Sequence, residues 1–197
     1  IVRCDVGTIE FNAGDYARSV EELGGALELM DRLGLQPNLD RVHLHNNLAG
    51  SYFLQGQRGD AEREYRRAIE LAEETIGADA AYVAALLTNL SRLLENMGRT
   101  EEASALLDRG QGILDRSDLH GDHLWRLHLH RIRAKVLTAT GRYAEADALL
   151  RPWLPIIAAQ PNLPDLERLS TARLLLENLR RWGRPAEEDA ELRTFLE

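Results

Sequence analysis

Apolar residues recur along this chain at three- and four-residue spacing, interrupted at regular intervals by a glycine. Leu48, Ala49, Tyr52 and Phe53 lead to Gly56, and Ala61, Tyr65, Ala68, Ile69 and Ala72 follow it. Leu86, Leu87, Leu90, Leu93 and Leu94 lead to Gly98, and Ala103, Leu106 and Leu107 follow. That spacing puts the apolar side chains on one face of a helix on each side of each glycine. Glycine at the turn closes the first helix at positive φ without the clash a Cβ would meet. The pattern predicts helices over 2–12, 15–33, 40–56, 59–76, 79–97, 100–115, 122–140, 143–151, 164–182 and 185–196. Asp60 and Thr100 are read as N-caps of second helices, and Asp79 and Asp122 as N-caps of first helices. No segment alternates with period two, so no strand is predicted.

Gly14, Gly56, Gly98, Gly141 and Gly183 lie 42, 42, 43 and 42 residues apart. A fixed period of this size is the mark of a stacked repeat array, in which each unit buries its apolar face on its neighbours. The text repeats as well: Gly98-Arg-Thr-Glu-Glu-Ala-Ser-Ala-Leu-Leu returns as Gly141-Arg-Tyr-Ala-Glu-Ala-Asp-Ala-Leu-Leu. Ala61, Ala103 and Ala146 share one slot, expected to be buried where the two helices of a hairpin cross. The expected fold is therefore all-α, a right-handed solenoid of about five helical hairpins. Its units are approximately 1–36, 40–77, 79–118, 122–158 and 164–197, forming one domain.

Departures from the pattern carry information. Pro152 and Pro155 fall where the second helix of the fourth unit should continue, so it should stop or kink near Arg151. Gln36-Pro37-Asn38-Leu39 and Gln160-Pro161-Asn162-Leu163 read as extended connectors, since a residue before proline is pushed out of the helical region. Arg133 occupies the slot of Leu48 and Leu90, and Trp153 that of Ala68. Ser19 and Glu188 replace the crossing alanine in the outer units.

Leu48-Ala49-x-x-Tyr52, then Ala61-x-x-x-Tyr65 and Ala68, has the spacing of the tetratricopeptide repeat (TPR), and the chain resembles that family. A 42-residue period exceeds the usual unit of about 34 residues by roughly a turn on each helix. That longer form resembles kinesin light chain and many bacterial multidomain signalling proteins. Asn46-Asn47-Leu48-Ala49, echoed by Asn89-Leu90-Ser91, is similar to that family's paired-asparagine segment. The resemblance implies a protein- or peptide-binding module whose first helices line a concave groove. It implies a backbone- or carboxylate-binding role for the slot of Asn47 and Asn89. With Arg131 and Lys135, Asn89 resembles half of the carboxylate clamp of chaperone-binding repeats. Asn46 and Gly50 stand where a basic residue and an asparagine would complete it.

Composition narrows the chemistry. The formal charge is −8, from 24 basic and 32 acidic residues, which argues against general nucleic-acid binding. No apolar run is long enough to span a bilayer, so no membrane partner is expected. Cys4 is the single cysteine, which excludes an intrachain disulfide and fits a reducing, cytoplasmic setting. Ile1 opens the chain with neither Met nor a signal-like segment, so a piece of a larger polypeptide is expected.

The histidines form three pairs, His43/His45, His120/His123 and His128/His130, but residues two apart on a helix cannot chelate together, and no zinc motif is matched. Glu73-Glu74, Glu101-Glu102 and Glu187-Glu188 read as solvated faces. Gly24-Gly25 and Gly110-Gln111-Gly112 lack the strand and the Lys-Ser/Thr of a phosphate loop, and Gly110 falls in a helix-packing slot. No nucleophile, base and oxyanion donor can be assembled, so no enzyme, metal or cofactor is expected.

A small polar and basic set is left. Arg131 and Lys135 are four apart and share a helical face, and they align with Asn46 and Gly50 and with Thr88 and Arg92. Asn46, Asn47, Asn89, Arg92, Arg131 and Lys135 are the candidate groove residues, suited to an extended, acidic protein segment. The alternative is a structural arm that positions or dimerises neighbouring domains. It would use an apolar end face of Trp182, Leu192, Phe195 and Leu196, with a further helix or a second copy as partner.

Overall fold

The computed structural model describes residues 15–121, 123–160, 165–184 and 192. They form α1 (Tyr16–Arg32), α2 (Leu39–Leu54), α3 (Arg58–Ile76), α4 (Ala81–Asn96), α5 (Thr100–Arg116), α6 (Leu124–Ala139), α7 (Tyr143–Leu150), α8 (Trp153–Ala158) and α9 (Asp165–Trp182). No strand occurs among the described residues. The expected all-α array is the one observed, with helix ends within two residues of those read from the periodicity. The helices expected over 2–12 and 185–196, Cys4, the Asp122 cap and Glu187-Glu188 lie outside the described residues.

Three hairpins, α2–α3, α4–α5 and α6–α7, pack in sequence, with α1 against α2 and α9 against α6, α7 and α8. Each turn is made by its glycine at positive φ: Gly56 at 78°, Gly98 at 76° and Gly141 at 77°. A side chain there would sit in the left-handed region that L-residues avoid. Ala61, Ala103 and Ala146 are each 0% exposed at the hairpin crossings. Gly110 marks a close approach between hairpins. A Cβ there would lie 3.2 Å from Leu129 Cδ1 and 3.6 Å from the Ala84 carbonyl oxygen. Ser19, at the crossing slot of α1, pairs with buried Ser51 of α2 at 2.9 Å. The hydroxyls satisfy one another where alanine would have none to satisfy.

Several expectations need correction. Asp60 and Thr100 are not caps, because α3 and α5 begin after Gln57 and Arg99 without a side-chain cap. Asp60 instead pairs with Arg63 at 2.9 Å. Asp79 is likewise displaced by Ala80 and reaches Arg116 at 2.6 Å. Among the described residues, the side chains that do cap are Asp15, Asn38 and His123. The second helix of the fourth unit ends at Leu150, as the prolines required, but the chain then restarts as α8. Pro152 precedes the first turn of α8 and Pro155 lies within it. No intrahelical N–H is needed at either place, so both prolines are tolerated. Leu192 is 1% exposed and belongs to the core around Leu175 and Leu179, and Trp182 packs on the same cluster. Those two residues are therefore not part of an open apolar end face; Phe195 and Leu196 lie outside the described residues.

Candidate functional site

The first helices place their polar residues on a shared face. From α2 come Asn46 and Asn47, from α4 Asn89 and Arg92, and from α6 His128, Arg131 and Lys135. The apolar residues between them, Leu44, Leu48, Leu86, Leu90 and Ile132, are buried. Helical periodicity thus fixes which side chains can point elsewhere.

Asparagine and histidine side chains form a continuous hydrogen-bonded row across three hairpins. Asn89 Nδ2 donates to Asn46 Oδ1 at 3.0 Å, and Asn46 Nδ2 donates to Asn47 Oδ1 at 3.3 Å. His128 Nε2 lies 3.3 Å from Asn89 Oδ1. Since an amide oxygen can only accept, His128 carries its proton on Nε2 and donates. The row therefore has one direction, from α6 through α4 to α2. Burial and the positive charges of Arg92, Arg131 and Lys135 push the His128 pKa down to about 3, so the imidazole is neutral at ordinary pH.

The same three cations make the face electropositive. Arg92 lies over the Phe53 ring, 5.2 Å from its centroid. Lys135 has no hydrogen-bond or ion-pair partner among the described residues. It lines a cleft of about 240 Å³ between α4, α6 and α9. Elsewhere arginines are matched by carboxylates, as in Arg99 with Glu62 and Glu102 at 2.6 Å each and Arg109 with Glu73 at 2.6 Å.

All six groove candidates come from these three helices, but sequence reasoning missed their neighbours. His128 was read only as one of a pair, although 128, 131 and 135 follow i, i+3, i+7 spacing and so share a face. A row of rings was missed too. The His43 and Tyr82 rings lie tilted with centroids 5.1 Å apart, Tyr82 and Trp125 tilted at 5.8 Å, and His123 meets Trp125 edge-on at 5.0 Å. The Tyr82 hydroxyl and His43 Nδ1 are 3.0 Å apart. Tyr82 and Trp125 each precede their turn glycine by 16 residues, a repeat signal present in the sequence. His45 and His130 are held structurally, whereas His120 is exposed. His45 pairs with Glu64 at 2.7 Å, and His130 accepts from Trp153 Nε1 at 2.9 Å while facing Gln111 Oε1 at 3.2 Å. Among the described residues, no three His, Cys, Asp or Glu side chains are grouped to hold a metal ion.

Tetratricopeptide repeat models match residues 40–116 and 127–152, together just over half of the chain. The chain belongs to the tetratricopeptide repeat family. Solved structures of similar shape carry the likeness over nearly the whole length. One is a point variant of nearly identical TPR-like repeats from a kinesin light chain candidate of Podosopora anserina. It has a TM-score of 0.76 at 21% identity, covering 99% of this chain and 92% of that one. Its counterpart without that substitution gives 0.75 at 20%, covering 99% and 93%. BtubC (BKLC) from P. vanneervenii gives 0.76 at 15%, covering 96% and 75%. No curated protein matches the chain in sequence. TPR arrays generally mediate protein–protein interaction or scaffolding and are typically non-catalytic. No helix among the described residues is long and apolar enough to cross a membrane.

Proposed function

We propose that the face shared by α2, α4 and α6 binds an extended protein segment and draws an acidic residue of it toward Arg92, Arg131 and Lys135. The observation that carries this reading is the convergence of those three cations on neutral His128, with no carboxylate paired to Lys135 among the described residues. Burying the charge of a ligand carboxylate is favourable where such donors are already gathered. Asn46 and Asn89 keep unused capacity after forming their row. Each amide nitrogen has a second hydrogen and each oxygen a second lone pair, enough to engage a peptide unit without reading its side chain.

The test is a peptide array probed with the wild-type chain and with Arg131→Ala and Lys135→Ala. Hits should be enriched in aspartate and glutamate and should weaken as salt rises, because the face is open to solvent. Each charge-assisted bond contributes about 1.5–3 kcal/mol, so either substitution should reduce affinity roughly 10- to 100-fold. Hits without acidic preference, or untouched by both substitutions, would refute the reading.

A further inference from the structure

The cleft beside Lys135 has a feature that a simple attraction for acidic ligands does not explain. Its walls come from three first helices, α4, α6 and α9, with Ala134 and Leu174 supplying apolar surface. Around them stand four charges, Glu95, Lys135, Glu177 and Arg181. Glu177 and Arg181 satisfy each other at 2.8 Å, one turn apart on α9. That leaves Glu95 and Lys135, neither of which has a side-chain hydrogen-bond or ion-pair partner among the described residues. The cleft therefore offers one unmatched cation and one unmatched anion across a small space, backed by a neutral pair.

We propose that this cleft selects a single carboxylate and rejects a second one next to it, so that the ligand is a segment with an isolated acidic residue rather than an acidic run. The inference rests on the binding reading above and adds Glu95 and Arg181 to it as specificity-determining residues. A carboxylate seated on Lys135 is completed by Arg181, whose guanidinium has donors to spare beyond its bond to Glu177. A neighbouring carboxylate on the ligand meets Glu95, which no side chain among the described residues pairs with. An amide or a cation in the same place is accepted by it. Two like charges about 4 Å apart in a wet cleft repel by about 1 kcal/mol or more, which is on the order of a fivefold loss of affinity.

The experiment uses matched, otherwise uncharged peptides of about ten residues carrying one aspartate, two adjacent aspartates, or an aspartate beside a lysine, titrated by fluorescence anisotropy. The wild-type chain should bind the single and the Asp-Lys peptides better than the Asp-Asp peptide by about fivefold. Glu95→Gln should abolish that discrimination, chiefly by improving Asp-Asp binding. Arg181→Ala should weaken all three peptides, Asp-Asp most of all, because Glu177 is then left uncompensated in the cleft. If Asp-Asp binds as well as the single aspartate to the wild-type chain, or Glu95→Gln changes nothing, the selection is refuted even though acidic preference stands. If none of the aspartate peptides binds better than an uncharged control, the binding reading itself fails, and the selection with it.

Discussion

Arg133 shows how one residue can depart from a repeat and still be accommodated. Its slot holds Leu48 and Leu90 in the preceding hairpins, at 4% and 1% exposure. In the fourth unit the guanidinium reaches outward and Nη1 donates to Asp108 at 2.7 Å. Nε and Nη2, however, are buried without a hydrogen-bond partner. Beside them a cleft of about 340 Å³ opens between α5 and α7, bordered by Val136, Leu137 and Leu149. Unsatisfied buried donors cost about 1–3 kcal/mol, while the ion pair lost with Asp108, itself largely exposed, contributes at most about 1 kcal/mol. Arg133→Leu should therefore stabilise the chain by about 1–2 kcal/mol, read as a higher urea midpoint with an unchanged slope. A lower midpoint would mean that the Asp108 pair holds the two hairpins together. The anomaly of Arg133 was visible in the sequence as a broken repeat. Its unpartnered nitrogens were not, because they depend on what α5 and α7 leave uncovered.

At the scale of single elements the register is the decisive quantity, since one alanine slot recurs at every crossing. Ala103 is 0% exposed between α4 and α5. Ala103→Leu should overpack that crossing and cost about 1–3 kcal/mol, measured as a drop in the thermal midpoint. A midpoint equal to that of the unmodified chain would show the hairpin able to part at no cost. Helix extents were legible from periodicity, while the residues at the cap positions were not. Asp60, Asp79 and Thr100 are all residues that favour N-caps, yet Gln57, Ala80 and Arg99 take the positions. The turn glycine and the interhelical packing set where each second helix begins, and the aspartates then bind arginines nearby. The short helix α8 was missed for a related reason. Proline reports that a helix cannot continue through it, but not that another can start there with Trp153, Leu154 and Ile157 buried.

Across the whole molecule the core is a chain of overlapping clusters. The largest runs from Val42 through α3, α4 and α5 to Val136, with smaller clusters around Leu23 and Leu44 on one side and Leu150 and Leu175 on the other. In such an array each unit is stabilised by its neighbours, and the largest cluster is centred on α3, α4 and α5. Amide hydrogen exchange should therefore be slowest in α4 and α5 and faster in α1 and α9. Uniform protection from α1 to α9 would point to a single cooperative unit and contradict the nearest-neighbour picture.

The residues of this chain dictate, by themselves, the helices, their hairpin pairing and the glycine turns, because each depends on local spacing that recurs at a constant period. They also single out Asn46, Asn47, Asn89, Arg92, Arg131 and Lys135, since the repeat register brings these polar positions together on the first helices. Only the tertiary structure decides what those side chains touch. The hydrogen bonds from His128 to Asn89 and from Asn89 to Asn46, the ring contacts from His43 through Tyr82 to Trp125, and the unmatched charges of Glu95 and Lys135 all join residues about one repeat apart. Such pairings are set by how far each hairpin is rotated on the last, a quantity no local pattern of apolar residues encodes.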